Sequence, residues 1–240
     1  MDTPANIELI LKPSAGIGGG RQKLTDWAYE ELKAAILDLR LVPGQPLREH
    51  VIAESLGISK TPVREALAWL ERDGLVVTEV FKGAVVSSYS RQDLEELYEL
   101  RELLEVAAAR AAATSLTDVV GRELQRIAAD SRREARLGHS RRLALYVTEF
   151  DTVIFENVAN SRLRSLIANL RDHLTRVGHL TVGIPGRLEK SVEEHDRIIN
   201  AIVSGDADAA EATMREHIAS VKADQFALLE DVDSPLIQED

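Results

Sequence analysis

The chain has 240 residues, enough for two domains of ordinary size. Apolar residues make up 45% and aromatic residues 4%, and there is no cysteine. Real cores are therefore affordable and helix is favoured over sheet, while disulfides, thiolate metal sites and cysteine nucleophiles are excluded. The formal charge is −11, but residues 21–89 hold 9 basic and 10 acidic side chains against 19 and 28 in residues 90–240. The acidity is concentrated in the rear, and the front is free to present a local basic face. No apolar run approaches the ~18 residues of a membrane span. The N-terminal patch of Ile7, Leu9, Ile10 and Leu11 is broken by Glu8 and too short for a secretory signal. A cytoplasmic protein is expected.

Residues 1–20 end in Gly16-Ile17-Gly18-Gly19-Gly20, show no period, and read as a flexible arm. From Thr25, Trp27, Leu32, Ala35, Ile36 and Leu39 recur at helical spacing until Pro43-Gly44-Gln45-Pro46 stops the helix. A second short helix covers 47–56 and ends at Gly57. A third covers 62–72, turns Val63, Ala66, Leu67 and Leu70 inward, and ends at Gly74. Two β-rich runs, 75–78 and 84–87, flank Phe81-Lys82-Gly83 as a hairpin. Beyond Ser90 only helix patterns occur, at 91–115, 118–137, 140–158, 161–181, 186–204 and 206–230. Their breaks lie at Thr117-Asp118, Gly138, Asn160-Ser161, Gly183-Ile184-Pro185-Gly186 and Gly205-Asp206. The fold class is mainly α. An arm (1–20) precedes an N-terminal winged helix-turn-helix (21–89), then a C-terminal antiparallel bundle of six helices, with a seventh allowed (90–232), and a tail (233–240).

In the front domain Gly57 supplies the tight turn between two steeply crossing helices, and Ser59 or Thr61 can cap the second. Ser59, Lys60, Thr61 and Arg64 are exposed at that helix start. Hydroxyls and helix-end amides suit phosphates, and Arg64 can fork onto guanine in the major groove. At the hairpin tip, Lys82-Gly83 allows close approach to an adjacent groove. The runs Pro43 to Glu49, Ala53 to Leu67 and Leu70 to Leu75 closely resemble the GntR family of bacterial transcription regulators. The resemblance implies DNA contacts at Arg48, Ser59, Lys60, Thr61, Arg64 and Gly83. Lys60 stands where the family usually has arginine, which favours phosphate contact over base reading there.

In the rear domain, polar residues interrupt apolar stripes: His195 among Val192, Ile199 and Ile202; His217 among Ala210, Met214 and Val221; Asp151 among Leu143, Val147 and Ile154. Two imidazoles and a carboxylate turned inward are either a hydrogen-bonded polar core or a divalent metal site with open positions. Zinc is the first expectation, with nickel, manganese or iron(II) as alternatives. Arg101 shares a stripe with Leu97, Leu104 and Ala108, so its guanidinium needs a carboxylate, either from the bundle or from an effector. The segments Arg101 to Glu105, Asn160 with Leu163, Glu194-His195 and Gly205-Asp206 resemble the FCD ligand-binding domain of the FadR and VanR branch. That domain often holds a metal with an aspartate, a histidine four residues later and two further histidines. His195 and His217 match the last two positions, whereas Val147 and Asp151 occupy the first two, which reduces the set to three. A helical metalloenzyme fused to a DNA-binding module is the competing class, but the Glu-x-x-His signature of di-iron bundles is absent, with Val192 and Met214 three residues before the histidines. A ligand-free architectural DNA protein would not need inward His, Asp and Arg. The expected function is a homodimeric, ligand-responsive repressor. It would bind a palindromic DNA operator and sense a small carboxylate, with no catalytic step and no membrane.

Overall fold

In a computed structural model, residues 7–11, 21–181 and 184–231 are described. They form two compact units that divide between Asp93 and Leu94. The first unit holds α1 (Ile7–Ile10), α2 (Arg21–Leu37), α3 (Glu49–Leu56), α4 (Lys60–Arg72), β1 (Val76–Glu79) and β2 (Gly83–Val86). Its core is the inward face of α2 (Ala28, Leu32, Ala35, Ile36) against Ile52 and Leu56 of α3 and Val63, Ala66, Leu67 and Leu70 of α4. These residues recur at three- and four-residue spacing, so each helix buries one stripe and leaves the opposite face wet.

Gly57 follows α3 at φ 69° and ψ 32°, and its amide returns to the carbonyls of Ala53 and Glu54. A side chain is disfavoured in that left-handed conformation, so glycine sets the angle between α3 and α4. Strands β1 and β2 pair antiparallel with Val76 opposite Val86 and Glu79 opposite Gly83. The Pro-Gly-Gln-Pro segment does more than stop a helix. The Gly44 amide donates to Val86 O at 2.8 Å and the Leu47 amide to Ala84 O at 2.8 Å, so this segment lines the edge of the hairpin. The expected flexible arm needs one correction. Ile7–Ile10 is a helical turn whose Ile7 and Leu11 are buried in the same core, and Arg40 donates to Ile10 O at 2.8 Å. Four residues are too few to show a period, so only the tertiary contact reveals this turn. The remainder of the arm and the tail at 233–240 lie outside the described residues.

The second unit consists, among the described residues, of six helices: α5 (Arg91–Thr114), α6 (Asp118–Leu137), α7 (Ser140–Glu156), α8 (Ser161–Thr181), α9 (Arg187–Val203) and α10 (Ala207–Asp231). The polar breaks read from sequence act as caps. Thr117 Oγ1 accepts from the Val120 amide, Asn160 Oδ1 from the amides of Arg162 and Leu163, and Asp206 Oδ1 from the Ala209 amide. Each satisfies amides that a helix start leaves without partners. The core gathers Phe150, Ile154, Ile198, Ile202, Met214 and Ile218. A buried polar bridge runs through it: Tyr98 Oη donates to Gln225 Oε1 at 2.6 Å, and Gln225 Nε2 donates to Val177 O at 2.8 Å, which joins α5, α10 and α8.

Both tryptophans, Trp27 and Trp69, lie in the first unit, so their fluorescence reports on that unit alone. Gly57→Ala is expected to lower its stability by about 1–2 kcal/mol, the cost of a Cβ in the left-handed region. The measurement is denaturant unfolding followed by tryptophan emission.

Candidate functional site

Arg48, Ser59, Lys60, Thr61, Arg64, Lys82 and Gly83 are all exposed. A groove of about 510 Å³ runs between α3, α4 and the hairpin, and Arg48, Arg64, Lys82 and Gly83 line it. Ser59 occupies the N-cap position of α4 but makes no capping hydrogen bond, so its hydroxyl and the helix-end amides remain available to a phosphate. Gly83 lies at φ 75° with open space where a Cβ would stand, so its backbone conformation rather than crowding calls for glycine. Sequence reasoning missed Glu49, which grips Arg64 through Nε and Nη2, both at 2.8 Å. An exposed pair of this kind contributes only about 0–1 kcal/mol, so the guanidinium is easily released to a better partner.

In the helical unit the structure brings Arg101, Asp151, His195 and His217 to one cavity of about 280 Å³, with Arg171 and Arg187 also on its wall. Arg101 Nε donates to both carboxylate oxygens of Glu105 at 3.1 Å, one helical turn away, so the bundle itself supplies the carboxylate that a buried arginine needs. Arg187, at the start of α9, is fully committed. It donates to Glu194, to Ser191 Oγ at 3.0 Å, to Ser220 Oγ at 3.0 Å and to Asp224 Oδ2 at 2.6 Å. Glu194 also accepts from Ser220 Oγ at 2.5 Å and bonds His217 Nδ1 at 2.7 Å. Burial pushes the Glu194 carboxyl up, but the hydrogen bonds from His217, Ser220 and Arg187 outweigh it and hold the pKa at about 2. His217 is pushed down by burial despite the pull of Glu194, so the neutral ring donates through Nδ1 and leaves Nε2 as an acceptor.

His195 stacks on Phe150, with ring centroids 3.8 Å and planes 17° apart, and meets His217 edge-on at 4.8 Å. Burial, then the fields of His217, Arg101 and Arg187, hold it well below the usual histidine range. Asp151 behaves oppositely. Burial and the nearby Glu105 raise its pKa to about 7, against the weaker pull of Arg101 and Arg171.

These placements support no particular metal. Among the described residues no three His, Asp or Glu side chains are grouped so as to hold one ion, although the three expected donors share a cavity. The residues as placed do not fit a zinc, nickel, manganese or iron ion. Sequence reasoning also missed Glu105, Arg171, Arg187 and Glu194. Glu105 was within reach, since its i+4 spacing from Arg101 is an ion-pair signal. The other three become visible only when four helices converge.

The first unit is a winged helix-turn-helix whose groove carries Arg48, Arg64 and Lys82, and the second is a helical bundle with a polar cavity. Residues 24–86 match the bacterial regulatory proteins of the gntR family, and residues 96–220 match the FCD domain. A relative named "Probable D-xylose utilization operon transcriptional repressor" from Paenarthrobacter nicotinovorans is 33% identical over 183 residues, covering 75% of this chain and 79% of that one. The HTH-type transcriptional repressor RspR of Escherichia coli is 24% identical over 225 residues, covering 90% and 91%. The solved structure of E. coli McbR/YncC shares the fold, with a TM-score of 0.71 at 24% identity over 86% of this chain and 98% of that one. The chain belongs to the GntR family and carries an FCD domain. It is a DNA-binding transcriptional regulator and not an enzyme.

Removing the cation from the buried cluster leaves Glu194 and Asp224 uncompensated. Arg187→Met is therefore expected to cost the bundle about 3–5 kcal/mol, read from far-UV circular dichroism melts. Asp151 takes its proton more readily folded than unfolded, where the ordinary carboxylate value is about 3.9. Its contribution is thus favourable at low pH and lost as pH rises towards about 7. Asp151→Asn should gain stability relative to wild type across that interval, with the difference levelling off above it.

Proposed function

We propose that this protein is a cytoplasmic, homodimeric repressor that binds a palindromic operator and releases or tightens on it when a small carboxylate enters the bundle cavity. The observation that carries this reading is the pairing of an exposed basic groove in one unit with an arginine-lined chamber in the other. Arg64 reads a base edge in the major groove, Lys60 and Ser59 hold phosphates at the α4 start, and Lys82-Gly83 approaches the adjacent groove. The effector enters the cavity that Arg101 lines, with Arg101 itself held on Glu105 through Nε. The repressor sense is supported by the names of two relatives, the D-xylose operon repressor and RspR.

Dimerisation is supported by α5, where Leu100 and Leu103 are exposed large apolar side chains and Ala107 continues their stripe. One winged helix buries little surface, and two linked copies gain effective concentration on a two-fold site.

Operators selected from random duplexes provide the binding test. Arg64→Ala should weaken selected-site binding by ~1–3 kcal/mol, whereas Lys60→Ala should weaken all duplexes alike and reduce the salt slope. Unchanged affinity for Arg64→Ala would overturn the recognition-helix assignment. Sedimentation of the full chain at micromolar concentration should give a dimer that Leu103→Glu dissociates; a wild-type monomer refutes that part.

A further inference from the structure

Among the described residues, two opposite charges on the bundle cavity reach no counter-charge within ion-pair distance. Of its three guanidinium groups, Arg101 is balanced by Glu105 and Arg187 by Glu194 and Asp224. Arg171 of α8 is not. Among the described residues it donates to Thr152 Oγ1 at 3.0 Å and lies over the Phe155 ring at 5.8 Å, and it reaches no carboxylate within ion-pair distance. Asp151 of α7 likewise lacks a hydrogen bond or ion pair among the described residues, although it lines the same wall. The two groups interact through the field between them but do not touch.

A half-buried guanidinium and a half-buried carboxyl that lack counter-charges on one cavity can both be satisfied by a single molecule that reaches the two. We propose that the cavity binds a small zwitterion of the amino-acid type, its carboxylate on Arg171 and its ammonium on Asp151. The planar fork of an arginine suits a carboxylate, and the free Asp151 oxygens accept ammonium protons. His217 adds a third recognition element. With Nδ1 committed to Glu194, its Nε2 is a further acceptor on the cavity wall. His195, 6% exposed and held flat by Phe150, closes the space beside it. A volume of about 280 Å³ is at the lower end of the range for drug-sized ligands, which fits a molecule of few atoms. No metal is required, because the ligand brings both charges. This proposal rests on the reading that the cavity is the effector site, and it specifies the ammonium that a simple carboxylate lacks.

The test uses the full-length protein, dialysed against a chelator. Thermal shift and calorimetric titration are run with the protein amino acids singly at millimolar concentration, with propanoate and lactate as acids lacking the amine, and with ethylamine as amine lacking the acid. At least one amino acid should raise the melting temperature and alter operator binding, while the acids and ethylamine fail. Arg171→Gln and Asp151→Asn should each weaken that response about tenfold or more, with circular dichroism and operator affinity in the absence of ligand unchanged. If the simple acids act as strongly as any amino acid, the cavity is a carboxylate site and the zwitterion proposal fails while the effector reading stands. If no probe shifts the protein, or the response is indifferent to both substitutions, the proposal fails. A response that disappears on chelator treatment also overturns it.

Discussion

A charge carried into the interior of a helical bundle must meet its counter-charge there, since the desolvation cost is several kcal/mol per ion. The second unit is organised around that constraint. Arg187 begins α9, and its guanidinium spans Glu194 on the same helix and Ser220 and Asp224 on α10. Glu194 in turn fixes His217 of α10. This cluster holds α9 and α10 in one register and sets which face of each helix borders the cavity. The Nδ1–H tautomer of His217 follows from its bond to Glu194.

The same requirement acts differently on the first unit. There the charged groups remain in water, where an ion pair is weak and easily exchanged. Arg64 resting on Glu49 and Lys82 on Glu79, the latter at 2.6 Å, keep the basic groove ordered without neutralising it permanently. The buried charges fix the helices they join, and the solvated ones make contact with a polyanion reversible and salt-dependent.

The disagreement over metal shows how residue type differs from residue placement. Two histidines and an aspartate at inward positions of three helices satisfy every chemical demand of a divalent site. In space they line one cavity but are not grouped to hold one ion among the described residues, and His217 is bonded to Glu194. Periodicity tells which face a residue occupies; it does not tell which neighbour on another helix reaches it first.

The sequence by itself determined the order and limits of the main helices, the hairpin, and the exposed set from Arg48 to Gly83, because these depend on local rules: apolar spacing, proline and glycine breaks, and capping residues such as Thr117, Asn160 and Asp206. It also determined that Asp151, His195 and His217 point inward. Tertiary structure decided the turn at Ile7–Ile10, which is too short to have a period and is seen only through its burial against the winged core. It decided as well that Arg187 belongs to Glu194 and Asp224, and that, among the described residues, Arg171 and Asp151 reach no ion-pair partner on their shared cavity. Charge pairing between helices acts over a few ångströms in space and dozens of residues in sequence, as from Arg187 to Asp224. No local pattern encodes that distance, so only the folded chain assigns each buried charge its partner.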